Sequence, residues 1–125
     1  MEIIFAKNAP AAIGPYCHAT KVGNLVFISG QVPFDPQTGK VAGATMAEQA
    51  KQALTNLKAV LDEVGLKPKN IAKTTCYIND FSKFSEFNGV YAEFMGDHRP
   101  ARACVEIPNL PAGCMVEIEA IAVIE

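Results

Sequence analysis

The spacing of apolar residues changes along the chain and separates strands from helices. Residues 16–29 contain two runs rich in Val, Phe and Ile on either side of the turn dipeptide Gly23-Asn24, which predicts a β-hairpin. Prolines and glycines crowd residues 32–43, so we expect a folded surface loop there.

From Thr45 onward the apolar residues recur at steps of three and four, which predicts a helix over residues 46–64. Thr45 followed by Glu48 matches a capping box, in which the hydroxyl and carboxylate satisfy free amides of the first turn. Gly65 is placed to end the helix in the left-handed conformation. The apolar stripe comprises Ala47, Ala50, Leu54, Leu57, Leu61 and Val64.

A second helix is predicted after a strand over residues 71–78, capped by Asp80 or Ser82 and ending near Gly96. Its apolar side comprises Phe84, Phe87, Tyr91 and Phe94. Two final strands are predicted over residues 102–107 and 116–124. The order β-β-α-β-α-β-β predicts an α+β fold, with two helices on one face of a mixed sheet.

Side-chain alternation predicts which residues lie on the uncovered face of this sheet. If the loop between the last two strands closes a symmetric hairpin, Glu106 lies opposite Glu117 and Cys104 opposite Glu119. Arg102, Cys104, Glu117 and Glu119 would then all point away from the helices, unless a bulge shifts the register. The terminal run AIAVI is apolar on both faces, so we expect both faces to be buried. Self-association could bury the face that the helices do not cover.

Composition narrows the class of protein. A length of 125 residues suits one domain spanning 1–125, and a content of 50% hydrophobic and 19% charged residues excludes a disordered or low-complexity chain. The net charge of −2, without blocks of like charge, disfavours a broad nucleic-acid surface.

No cofactor motif or targeting signal stands out. The first fifteen residues do not resemble a secretory or transit signal, and no apolar run approaches the roughly 18 residues of a membrane span. His18 and His98 have no second ligand at metal-binding spacing, so we expect surface or packing roles and no metal. Four cysteines without a C-x-x-C pair predict free thiols in a reducing compartment, most simply the cytoplasm: Cys17, Cys76, Cys104 and Cys114.

Several separate segments nevertheless carry a family resemblance. APAAIGPY, ISGQVPFDPQTG, FNGVYAEFM and RACVEIPNLPAGCMVEIEAIAV together resemble the RidA (YjgF) family of enamine/imine deaminases, in the right order from Asn8 to Val123. The resemblance implies a chorismate-mutase-like fold, a homotrimer with ligand clefts between subunits, and no cofactor. It also implies hydrolysis of enamines and imines such as 2-aminoacrylate, released by pyridoxal-phosphate enzymes, to 2-oxo acids and ammonia.

The same resemblance implies site residues. Arg102 matches the ligand of the substrate carboxylate, a task suited to the guanidinium fork. Glu117 matches the carboxylate that positions or activates water, and the backbone carbonyl of Cys104 would help to orient that water. The positions matching the cleft lining are Tyr16, Ser29, Gly30 and Asn88.

Each assignment has a simpler alternative. Arg102 could be a salt-bridge partner, Glu117 and Glu119 could form a solvated edge, and Cys104 could invite a nucleophilic role although it lacks an obvious His partner. For the whole protein, the alternatives are a non-catalytic trimeric metabolite-binding regulator or chaperone-like protein and, disfavoured by charge, an endoribonuclease. The small basic patch that an endoribonuclease could use comprises Lys67, Lys69 and Lys73.

Overall fold

A computed structural model describes all residues from Met1 to Glu125 and contains six strands and two α-helices. In chain order these are β1 Glu2–Ile4, β2 Ala19–Val22, β3 Leu25–Gln31, α1 Met46–Glu63, β4 Ile71–Ile78, α2 Phe84–Met95, β5 Ala101–Glu106 and β6 Val116–Val123. The strands form one sheet in the order β1-β2-β3-β6-β4-β5. Only β4 and β5 pair in parallel, so the sheet is mixed, as the sequence predicted.

Both predicted helices form, and the ends of α1 lie within one residue of the prediction. Thr45 and Glu48 complete the capping box of α1, and Gly65 follows its end with a φ of 72°. Amide hydrogen bonds from Ala44 and Thr45 to the Glu48 carboxylate lower the pKa of Glu48. Before α2, Asp80 caps a single 3-10 turn rather than the helix itself, and Ser82 is the amide donor to Asp80, not a cap.

The core lies between the two helices and one face of the sheet. Four alternate residues of β6 are at most 4% exposed, whereas the residues between them are only half-buried. Each fully buried Val or Ile side chain contributes about 1.5–3 kcal/mol relative to its exposed state, so this alternation fixes which face meets the helices. The buried residues are Val116, Ile118, Ala120 and Ala122.

The predicted hairpin between the last two strands is wrong, because β4 lies between them. The connection from β4 to β5 runs through α2, and a helical crossover of this kind makes the two strands parallel neighbours. β6 then pairs antiparallel with the other edge of β4. The predicted strands themselves are confirmed to within one residue at 71–78, 102–107 and 116–124, whereas β1 was not predicted.

The new register also corrects the predicted faces. Cys104 pairs with Cys76, which pairs on its other side with Ile118, and both of these partners are fully buried against the helices. Arg102 and Cys104 therefore lie on the helix side of the sheet, not on the uncovered side. Glu117 and Glu119 do lie on the uncovered side, as predicted, but β6 is a central strand and not the solvated edge that was the simpler alternative.

The open face of the sheet is strongly apolar at its β1 to β3 end. Ile3 is 60% exposed and Phe27 40% exposed, and the register of the strands places both on the side away from the helices. In the terminal run AIAVI, Ile121 and Val123 lie on this same face and are half-buried. Neither helix has the length and apolarity needed to cross a bilayer.

Candidate functional site

The structure sorts the predicted site residues into two groups. Tyr16, Ser29, Gly30 and Glu117 line one cleft of about 410 Å³. Asn88 and Arg102 line a second cleft of about 390 Å³ between α2 and β5. Glu117 projects from the open face of the sheet and Arg102 from the helix face, so one chain does not bring the two together.

Glu117 sits against the backbone of Gly30. A bulge between Ile28 and Gln31 breaks the β3–β6 register and places Gly30 beside the carboxylate. A Cβ atom at position 30 would overlap Oε2 of Glu117 and would lie 2.9 Å from its Cδ. Glycine is therefore needed here for close approach rather than for a left-handed backbone.

The Glu117 carboxylate is only partly solvated. Burial, followed by the charge of Glu119 two residues along the same face, raises the pKa of Glu117. Tyr77 donates to Oε1 of Glu119 at 2.7 Å, which holds that second carboxylate in place. A carboxylate with a raised pKa is a better proton acceptor, and so it suits the activation of water.

Neighbouring side chains build the polar wall of this cleft. The hydroxyl of Ser29 donates to the carbonyl of Cys17 at 2.7 Å, so it faces a ligand as an acceptor. Tyr16 is 47% exposed and its hydroxyl lies 3.4 Å from the amide of Ile13. The ring of Tyr16 therefore remains available to a ligand or to another copy of the chain.

His18 fastens the segment that forms the rim of the cleft. The amide of Ala6 donates to Nδ1 of His18 at 2.7 Å, and Nε2 lies 2.7 Å from the carbonyl of Pro10. An amide can only donate and a carbonyl can only accept, so the ring is the neutral Nε2–H tautomer. The predicted packing role of His18 is confirmed, since it is 4% exposed.

Arg102 is held in place without a carboxylate partner. Its Cζ lies 4.7 Å from the ring centre of Tyr91 and 5.5 Å from that of Phe84, and Nη1 donates to Oδ1 of Asn88 at 2.7 Å. The only ion pair in the chain joins Lys58 to Asp62, so Arg102 is not a salt-bridge partner within one copy. Its positive charge and the remaining N–H donors of its fork are free to meet an anion.

The aromatic support of Arg102 was missed from sequence, which predicts Phe84 and Tyr91 only as part of the apolar side of the second helix. Tyr91 lies three residues after Asn88 and seven after Phe84, so all three share one helical face. That spacing was visible, but the strand that the face meets was not. Tyr91 is indeed buried, yet its ring also lies beneath the guanidinium.

The cysteines show no sign of activation. All four are free thiols, as predicted. Burial raises the pKa of Cys104 and raises that of Cys76 to about 12, which disfavours the thiolate and hence a nucleophilic role. No group of three His, Cys, Asp or Glu side chains is placed to hold a metal ion.

Known proteins resemble this chain over nearly its full length. The family model described as Endoribonuclease L-PSP matches residues 6–124. The chain is 46% identical over 125 residues to the 2-iminobutanoate/2-iminopropanoate deaminase of Escherichia coli strain K12, covering 98% of this chain and 97% of that protein. It is 44% identical over 121 residues to a RutC family protein of Pyrococcus abyssi, covering 97% and 95%.

Solved structures agree with this similarity. The structure of E. coli TdcF with bound serine superposes with a TM-score of 0.95 at 41% identity and full coverage of both chains. The E. coli YjgF gene product superposes with a TM-score of 0.94 at 44% identity, again over 100% of both chains.

Proposed function

The chain belongs to the RidA (YjgF) family, and from that premise we propose that it hydrolyses enamines and imines whose nitrogen-bearing carbon also carries a carboxylate. An example is 2-aminoacrylate, and the products are 2-oxo acids and ammonia. A relative 46% identical is named 2-iminobutanoate/2-iminopropanoate deaminase, which supports this substrate class. No cofactor takes part in the proposed reaction. Four free thiols suit a reducing compartment, so we place the activity in the cytoplasm.

The observation that carries this proposal is the free charge of Arg102. Asn88 and two aromatic rings fix the guanidinium while leaving it without a counter-ion. A planar carboxylate can take the open edge of the fork through two parallel hydrogen bonds. The substrate would thereby be oriented by the group that every 2-imino acid shares.

We further propose that the complete site lies between two copies of the chain. Arg102 and Glu117 project from opposite faces of one sheet, so a cleft that uses both must take one from each copy. The open face carries exposed apolar residues that such an assembly would cover. A homotrimer with three clefts between subunits satisfies both requirements, because a closed ring uses the same pair of surfaces at every interface.

In the proposed reaction the enamine first tautomerises to the imine, with a proton added at C3 and one lost from nitrogen. Water, oriented with the help of the Cys104 carbonyl, then attacks C2 while Glu117 accepts its proton. The second bond of C2=N breaks, its electron pair moves to nitrogen, and the nitrogen takes up a proton to give the carbinolamine. The carbinolamine loses ammonia after its nitrogen is protonated, and the C2–oxygen bond becomes a carbonyl. Imine and water thus balance to 2-oxo acid and ammonia, and the protein contributes mainly positioning. Tyr16, Ser29 and Gly30 would line the Glu117 side of the cleft.

The test measures pyruvate and ammonia from 2-aminoacrylate generated in situ by a serine dehydratase. We expect the wild type to accelerate release, and Arg102→Ala and Glu117→Ala each to lose that acceleration. Co-expressing the two variants in equal amounts should restore about one quarter of wild-type activity, because random assembly joins an intact Arg102 to an intact Glu117 at about one cleft in four. Wild-type rates in Arg102→Ala, or no restoration in verified mixed assemblies, would contradict the proposal.

A second candidate is a metabolite-binding regulator without turnover. The Arg102 half of the site is complete within one chain, and a similar structure was solved with serine bound. Binding of small carboxylates to the wild type, with no acceleration of 2-aminoacrylate hydrolysis, would favour this alternative. Cleavage of RNA by the same preparation would instead favour the activity after which the family model is named.

A further inference from the structure

We infer that Tyr91, locked by Thr74, is the positioning residue that orients Arg102 toward the substrate carboxylate. This inference rests on the proposed function, because it concerns the same carboxylate. It assigns a role to two residues that do not themselves reach the reacting atoms.

The three residues form one continuous support. Thr74 on β4 is directly paired with Arg102 on β5, and its hydroxyl lies 2.7 Å from that of Tyr91 on α2. The ring of Tyr91 is the nearer of the two beneath the guanidinium, at 4.7 Å from Cζ. Strand, helix and edge strand are thus joined at the point where the positive charge is presented.

The burial of this support makes it rigid. Thr74 is 0% exposed and Tyr91 is 8% exposed, whereas Arg102 itself is exposed on an edge strand. A long exposed side chain would otherwise sample many rotamers, and restricting it before the ligand arrives lowers the cost of binding. Burial raises the pKa of Tyr91, so the phenol stays protonated and keeps its bond with Thr74.

A ring is also the appropriate neighbour for this charge. The face of an aromatic ring attracts a cation without consuming any of its N–H donors. Asn88 uses only Nη1, so the rest of the fork stays available. A carboxylate in the same place would pair with Arg102 and compete with the substrate.

The experiment measures the binding of 2-oxobutanoate, the carboxylate product, and of the neutral 2-oxobutanamide by titration calorimetry. The variants are Arg102→Ala, Tyr91→Leu, Tyr91→Phe, Thr74→Val and the double variant Arg102→Ala/Tyr91→Leu, each checked for assembly and thermal unfolding. We expect Tyr91→Leu to weaken binding of the acid about 3- to 30-fold, the range of cation–π contacts. Tyr91→Phe and Thr74→Val keep an aromatic ring at position 91 but remove its hydrogen bond to position 74. Each should weaken binding of the acid about 2- to 5-fold.

The controls separate positioning from a merely structural role. In the Arg102→Ala background, Tyr91→Leu should produce no further loss of affinity for the acid. Binding of the amide should be unchanged by Arg102→Ala and by Tyr91→Leu. Equal losses with and without Arg102, or equal losses for acid and amide, would overturn the inference. If Tyr91→Leu does not fold, Tyr91→Phe and Thr74→Val carry the same test.

Failure of the proposed function would look different. If Arg102→Ala binds 2-oxobutanoate as tightly as the wild type, the proposal that Arg102 binds the substrate carboxylate is wrong, and the inference about Tyr91 fails with it. If Arg102→Ala loses binding while all Tyr91 and Thr74 variants stay within twofold of the wild type, only the inference fails.

Discussion

Replacing Gly30 by alanine should separate activity from stability at the Glu117 cleft. The added Cβ would overlap Oε2 of Glu117 and lie 2.9 Å from Cδ and 3.1 Å from Cγ, so the carboxylate must swing away from its present seat. A displacement of about 1 Å in a reacting group can cost on the order of 100-fold in rate. We therefore expect Gly30→Ala to reduce kcat/KM for 2-aminoacrylate on the order of 100-fold.

The effect of the same substitution on stability should be small. Gly30 has no positive φ, and the overlap falls on the far end of a flexible side chain. Moving Glu117 off its rotamer costs about 0.5–1.5 kcal/mol. Loss of backbone freedom in the unfolded chain offsets about 0.4–1 kcal/mol of that cost. The net change in the free energy of unfolding should therefore lie within about 1 kcal/mol of zero.

The assay is coupled hydrolysis beside chemical denaturation of the same preparations. Gly89→Ala is the matched control for the free energy of unfolding, because a Cβ there contacts nothing within 4 Å and lies inside α2. It should stabilise the chain by about 0.5–1 kcal/mol. Gly30→Ala activity within threefold of the wild type would refute the placement of Glu117 as the group that activates water.

Two further predictions concern Glu117 and His18. Because burial raises the pKa of Glu117, the folded chain binds its proton more tightly than the unfolded chain, and stability falls as pH rises between the two pKa values. Glu117→Gln should therefore raise Tm at pH 7 but leave it unchanged below about pH 3, where both states are protonated. Equal effects of the substitution on Tm at every pH would contradict this. His18→Ala removes the hydrogen-bond partners of the Ala6 amide and the Pro10 carbonyl and should lower the free energy of unfolding by about 2–4 kcal/mol. Faster proteolysis of the N-terminal segment is a second readout. An unchanged free energy of unfolding would show that other contacts hold this segment.

The elements were predictable because their signals are local. The Thr45–Glu48 capping box and the left-handed Gly65 act within a few residues and appear in the structure. Four of the six residues of the predicted stripe are buried in α1: Ala50, Leu54, Leu57 and Leu61. β1 was missed because a strand of three residues carries almost no periodicity.

The pairing of strands was not predictable by the same means. A hairpin is the simplest connection between two consecutive strands, and the loop from Pro108 to Met115 offers no local signal against it. What decides the matter is that β4 can pair on both edges, with β5 and with β6. In this central position Cys76 and Ile78 are fully buried, a property of the assembled sheet that no single segment reveals.

The error in pairing hid the organisation of the site. With Arg102 on the same face as Glu117 and Glu119, Arg102 would have been the diagonal neighbour of Glu119, and an ion pair between those two would occupy the guanidinium fork. Placing Arg102 and Glu117 on opposite faces keeps both groups unpaired within a single chain.

The separation therefore has a chemical consequence for a site completed by assembly. Glu117 retains the raised pKa that a base needs, and Arg102 retains an open fork supported by Tyr91. In the proposed cleft each would meet the other only across the bound substrate, whose carboxylate takes the positive charge and whose C2 faces the base. In the proposed site each cleft of the chain would supply one of the two charges, Glu117 from the first and Arg102 from the second.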